Sequence, residues 1–282
     1  MQNPTKHQHT IPKCYLKAFA NGQKELFKKQ KLTNESPEDI IEDLNDPHSL
    51  KWATVVDDFY TVSSGNDPML IETRIYANQI ENRYVSIYNI LTDPIRETFN
   101  MEERTWILTC LLSMHCRTPK QFRLFESTIP ESYQHEIHKI REDYKGAHLK
   151  DILPNLIKAH EFKRVLIYKV SDGSEFITSD NPVLIIGEGT KLMNNTFKEQ
   201  FNCDNIVMIP LDPKHCCVLF HAKDKNGIRA DGKVFYNKIQ REEIDCAMVQ
   251  NINWLMLESA DKTYYGTEQY MKAFFNFYKL VD

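Results

Sequence analysis

The sequence predicts an α+β fold, with a helix-rich N-terminal half packed on a mostly antiparallel sheet formed by the middle and C-terminal part. Three observations lead there. Helical apolar patterns dominate the residues before Phe162. Short apolar, β-branched runs separated by turn residues follow from Val165. No internal repeat, low-complexity tract or clear linker interrupts the 282 residues, so one α+β domain over 1–282 is expected.

Near the N-terminus, Ile11, Tyr15, Leu16 and Phe19 make one apolar face of a short helix, with Pro12 in its first turn and Gly22 at its end. Lys24–Lys31 has the character of a short edge strand guarded by lysines. Asn34–Ser49 is acidic and loop-like, Val55–Val62 is extended, and Ser63–Pro68 is a turn. Met69–Leu91 carries Ile71, Ile75, Ile80, Tyr84, Ile87 and Leu91 on one stripe, which predicts a long amphipathic helix. Glu72 and Glu81 flank the stripe, and α-helical geometry sets them roughly 13 Å apart along the axis.

Asn100 with Glu103 is a helix-start pattern, and the helix after it is apolar nearly all round to Cys116. That predicts a buried helix ending in Arg117-Thr118-Pro119. Gln121–His160 is helical again, broken or restarted at Pro130 and Pro154. Val165–Val170 and Glu175–Thr178 flank Asp172-Gly173 and predict a β-hairpin. Strands follow at Ile206–Ile209 and Cys216–Phe220, a last long helix at Glu242–Glu258, and a strand and helix from Tyr264.

Hydrophobic residues make up 41 % of the chain and charged residues 26 %, a soluble globular profile. The net charge of −4 excludes a molecule that is basic overall and binds nucleic acid by charge alone. Seven irregularly spaced cysteines argue against a disulfide framework, and the polar stretch Met1–His9 has no apolar signal region. A cytoplasmic setting away from the membrane is therefore expected. Neither composition nor spacing sets an oligomeric state.

Candidate chemistry centres on Phe176–Ile186, where apolar runs enclose Thr178-Ser179-Asp180-Asn181. Pro182 keeps Asn181 extended, so these polar groups stand at a sheet edge or form an Asx-turn. His9, Arg117 and Asp180 are the catalytic candidates: a proton carrier, an anion clamp and an orienting acceptor. Ser179 and Asn181 are the candidate substrate-binding residues. His135 and His138 are three apart among charged neighbours, so no metal site is expected, and the set calls for no cofactor.

Four segments, taken in order, resemble the bacterial domain-of-unknown-function 4238 family. They are His9–Phe19, Phe59-Tyr60-Thr61, Arg117-Thr118-Pro119 and Phe176–Val183, and Met208–Pro213 also follows its pattern. The resemblance singles out His9, Arg117, Ser179, Asp180 and Asn181 as shared polar positions and implies a bacterial or phage-associated setting. It implies no established activity. Two expectations follow. One is a metal-independent enzyme acting on a phosphorylated substrate such as a nucleotide or RNA, with His9, Arg117 and Asp180 converging on one concave site. The other is a non-catalytic sensor or interaction module of a defence or toxin-like system, in which the same residues form a structural network.

Overall fold

A computed structural model describes residues 7–31, 47–62, 67, 69–221 and 236–278. Most of the loop expected over Asn34–Ser49, and most of the turn expected over Ser63–Pro68, lies outside the described residues. The helix-rich and strand-rich stretches make an α+β protein whose sheets are largely antiparallel.

The N-terminal part holds β1 (His7–His9), α1 (Lys13–Leu16), a 3-10 turn to Phe19, β2 (Glu25–Gln30), β3 (Pro47–Ser49) and β4 (Val55–Asp57). β1 and β4 form a two-stranded antiparallel ribbon. The expected apolar face is present, with Ile11, Tyr15, Leu16 and Phe19 all buried. β2 corrects the edge-strand expectation. It lies inside a four-stranded sheet, and its Lys29 ammonium is buried, 5.6 Å from the Phe275 ring.

The helix expected over Met69–Leu91 is wound in two ways. Leu70–Glu81 is a π-helix that continues into α2 (Asn82–Thr92). The five-residue step from Ile75 to Ile80 suits the wider i→i+5 winding. α3 (Met101–Cys116) starts with a capping box: Asn100 accepts the Glu103 N–H and Glu103 accepts the Asn100 N–H, each at 2.8 Å. The cap of α4 (Pro119–Glu126) is Thr118, with Pro119 in its first turn. Beyond Pro130 come α5 (Ile137–Ala147) and α6 (Leu153–His160), the latter with Pro154 at its start as expected.

The second half contributes β5 (Arg164–Val170), β6 (Thr178–Ser179), β7 (Leu184–Ile186), β8 (Ile206–Asp212), β9 (His215–Phe220), β10 (Ile239–Ile244), α7 (Cys246–Ser259), β11 (Thr263–Gly266) and α8 (Glu268–Tyr278). The expected hairpin at Asp172-Gly173 does not form. β5 instead lies between β10 and β9 in a five-stranded sheet of order β10-β5-β9-β8-β7, and β6 joins the other sheet, β3-β2-β11-β6. Gly173 lacks the positive φ that a type I′ turn needs. Asn253 of α7 takes over the backbone there, accepting the Ile177 N–H and donating to the Glu175 carbonyl. The expected helix from Glu242 also starts later. Residues 239–244 run parallel to β5, and Asp245 caps α7 by accepting the Met248 N–H. The sheets thus draw on the N-terminal part as well as on the middle and C-terminal part.

The five-stranded sheet separates two apolar cores. Val165, Ile167, Val207, Ile209 and Cys217 meet α3 and the π-helix on one face, while Leu184, Cys216 and Val218 meet α7 and α8 on the other. Adjacent Cys216 and Cys217 point to opposite faces, as a strand requires. Leu111 and Leu112 of α3 are both fully buried in the first core. Leu111→Ala or Leu112→Ala should each cost about 2–5 kcal/mol in urea unfolding, from lost burial and the cavity left behind. A loss below about 0.5 kcal/mol for both, the usual surface value, would contradict this packing.

Candidate functional site

Arg117 is the largest fully buried side chain among the described residues. It follows the last turn of α3, and all three nitrogens of its guanidinium donate inside the protein. Nη1 donates to Glu81 Oε1 at 2.7 Å, Nη2 to the His9 carbonyl at 2.6 Å, and Nε to the Tyr60 hydroxyl at 3.4 Å. Glu72 Oε2 lies 4.0 Å from Nη2. The Tyr76 ring stacks against the guanidinium at 4.0 Å, and the Tyr60 ring lies at 5.6 Å. Burial alone would lower the Arg117 pKa, but Tyr60, Glu81, Tyr76 and Glu72 raise it, so the cation is held charged.

The π-winding brings these groups together. In an α-helix nine residues make about two and a half turns, which sets Glu72 and Glu81 on opposite faces. The wider winding brings nine residues close to two whole turns, and Glu72, Tyr76 and Glu81 all face Arg117. The separation expected of the two carboxylates is therefore corrected: both reach one cation. The spacing of four and then five residues, Glu72–Tyr76–Glu81, was the available sequence signal, and it is invisible to an α-helical template.

The ion-pair partner of Arg117 is thus Glu81, with Glu72 near, and not Asp180. Asp180 spends both oxygens on one turn, accepting the N–H groups of Asp261 (2.9 Å), Lys262 (2.8 Å) and Thr263 (3.1 Å). Burial pushes its carboxyl up to about 6 despite these bonds. Ser179 and Asn181 are fully buried. Ser179 Oγ accepts the Asn181 N–H, and Asn181 Nδ2 donates to the carbonyl and hydroxyl of Ser259.

His9 closes β1. Its Nδ1 lies 3.0 Å from the Ala53 carbonyl, an acceptor, so Nδ1 carries the proton and a neutral ring presents a bare Nε2. Burial lowers its pKa, partly offset by the Ala53 bond and by Glu81.

Side-chain bonds join all four sequence segments. The Tyr60 hydroxyl donates to the Arg117 carbonyl at 2.6 Å. The Tyr15 hydroxyl donates to the Pro210 carbonyl and therefore accepts from Thr178 Oγ1. Thr118 Oγ1 donates to Asn181 Oδ1 at 3.2 Å. Outside this network lies a cleft of about 400 Å³ to which each segment gives one residue: Thr10, Phe59, Pro119 and Asp180. His9 and Arg117 are not in its wall; Thr10, next to His9, and Pro119, two residues beyond Arg117, are. Among the described residues no group of three His, Cys, Asp or Glu side chains is placed to hold a metal ion, and no helix is long and apolar enough to cross a membrane.

Fold and network define an α+β protein in which polar side chains from four chain segments interlock around a buried arginine beside a surface cleft. The chain belongs to the family described as protein of unknown function (DUF4238), which it matches over residues 7–269. No curated protein and no solved structure matches it.

Glu72 supplies a test of the arginine cluster. Burial, and secondarily Glu81, push its carboxyl up from 4.5 to about 7 against the opposing pull of Arg117. A raised carboxyl pKa contributes stability that is complete below the unfolded value and is lost as pH rises through the folded one. Glu72→Gln should therefore gain on the wild type as pH rises from about 4.5 to 8, by up to about 3 kcal/mol. Urea unfolding across that range checks this, and a difference that stays constant with pH would refute it.

Proposed function

We propose that this chain is a non-catalytic recognition module of a bacterial defence or toxin-like system. In this reading the polar residues shared with the family brace a ligand cleft and do not act on a substrate. One observation supports it most: Arg117 is at zero exposure and each guanidinium nitrogen already donates within the protein. A phosphoryl clamp needs donors aimed at the substrate, where charge develops. Asp180 is equally committed, to three backbone N–H groups. The setting follows the family resemblance, and the cleft wall built from all four segments gives the module its ligand face.

The test is stability. Asp180→Ala leaves three N–H groups without their acceptor and should cost about 1–3 kcal/mol in urea unfolding. Arg117→Met leaves two carboxylates facing an apolar side chain and should cost about 3–5 kcal/mol. Both variants should lose biological activity only in proportion to the folded fraction. Wild-type stability combined with complete loss of activity would instead favour the enzyme reading of His9, Arg117 and Asp180.

A further inference from the structure

We propose that the cleft beside the four segments binds a mononucleotide, with Lys28 and Lys262 meeting the phosphate and Trp52 stacking on the base. This rests on the recognition reading and gives it a ligand class.

The first argument is charge. Four charged side chains line the cleft: Lys28, Lys262, Asp180 and Asp261. The carboxylates are already used, Asp180 by its three backbone N–H groups and Asp261 by Arg123. Neither lysine ammonium makes a hydrogen bond or ion pair with the described residues. With Asp261 neutralised by Arg123 and Asp180 offsetting one lysine, the charge left over in the cleft is positive, which suits an anion held by lysine as a point charge.

The second argument is the aromatic wall. Trp52 is 45 % exposed although it is a large apolar side chain. It is also held in place. His7 meets it edge-on at 5.1 Å, and the Lys51 ammonium sits 5.0 Å from its ring centre. His7 is in turn tied to Asp57 across the β1–β4 ribbon. A fixed, exposed indole is a ready stacking surface, and stacking on aromatic side chains is how proteins hold bases without reading their edges. Phe59 and Tyr265 extend the apolar wall.

The third argument is rigidity and size. Thr54 in the cleft wall adopts a φ of 57°, a left-handed conformation unusual for a β-branched residue. Its carbonyl accepts from Thr10 Oγ1, and its own hydroxyl bonds the Ile11 backbone on both sides. Such conformations persist where the surroundings over-determine them, often at ligand-binding walls. The volume of about 400 Å³ is in the range of small-molecule sites and suits one nucleotide.

The experiment is isothermal titration of the full chain with adenosine monophosphate, uridine monophosphate, adenosine and inorganic phosphate. Both nucleotides should bind, at least tenfold more tightly than adenosine or phosphate, and more weakly as salt rises. Lys28→Gln, Lys262→Gln and Trp52→Ala should each weaken binding at least fivefold. Their melting temperatures should stay near wild type, because all three change side chains at the cleft surface. No binding at millimolar nucleotide, phosphate binding as tightly as nucleotide, or variants that bind as wild type does would overturn the proposal. The two readings fail separately. Absent binding with the predicted destabilisation of Asp180→Ala removes the nucleotide and keeps the module. Turnover of bound nucleotide removes the module and keeps the site.

Discussion

A guanidinium taken wholly out of water must be matched by acceptors, and Arg117 sets that requirement at the centre of this protein. An unmatched buried cation would cost several kcal/mol, so the groups around it are constrained together. Glu81 neutralises it, Tyr76 and Tyr60 wall it, and the carbonyl of His9 ties the N-terminal strand to it. These contacts come from three separate parts of the chain, with Tyr76 and Glu81 both on the π-helix. The arginine therefore works as a junction: the π-helix, the end of α3, the β1–β4 ribbon and the segment around Tyr60 share one charge.

The π-helix has its cause here. A π-helix is rare and seldom runs beyond a single turn. Over Leu70–Glu81 the winding aligns Glu72, Tyr76 and Glu81 on the arginine while Ile71 and Ile80 remain in the core. An α-helical register would turn one carboxylate away and leave the cation with a single carboxylate partner. Glu72 remains the less favourable member: its buried Oε2 accepts no hydrogen bond from the described residues, and its pKa rises accordingly. The tension between two carboxylates and one guanidinium makes this cluster sensitive to pH.

Much of the fold was legible because its signals are local. The capping box at Asn100, the proline that starts α6, and the alternation of Cys216 and Cys217 depend on neighbours within a few residues. The errors arose where distant chain decides. Asp172-Gly173 has the composition of a hairpin, but Asn253 and β10 claim the backbone on either side. Lys24–Lys31 has the composition of an edge strand, but β11 pairs along it from the far end of the sequence. The site divides in the same way. Arg117, Ser179, Asp180 and Asn181 could be singled out from sequence as polar residues beside apolar runs, and His9 by the family resemblance. That Arg117 pairs with Glu81 and Asp180 with a turn could not, because partner choice is a matter of three-dimensional register.

The central claim is that Arg117 holds the N-terminal strand and its partners in place by charge and geometry together. Native-state hydrogen exchange on Arg117→Lys tests it most directly. Lysine keeps the charge but lacks the planar fork that serves Glu81 and the His9 carbonyl at once. The account predicts that amides of residues 7–11 and 55–60 lose protection by tenfold or more, while those of β5, β8 and β9 keep theirs. Equal protection throughout, or a loss spread evenly over both cores, would contradict it.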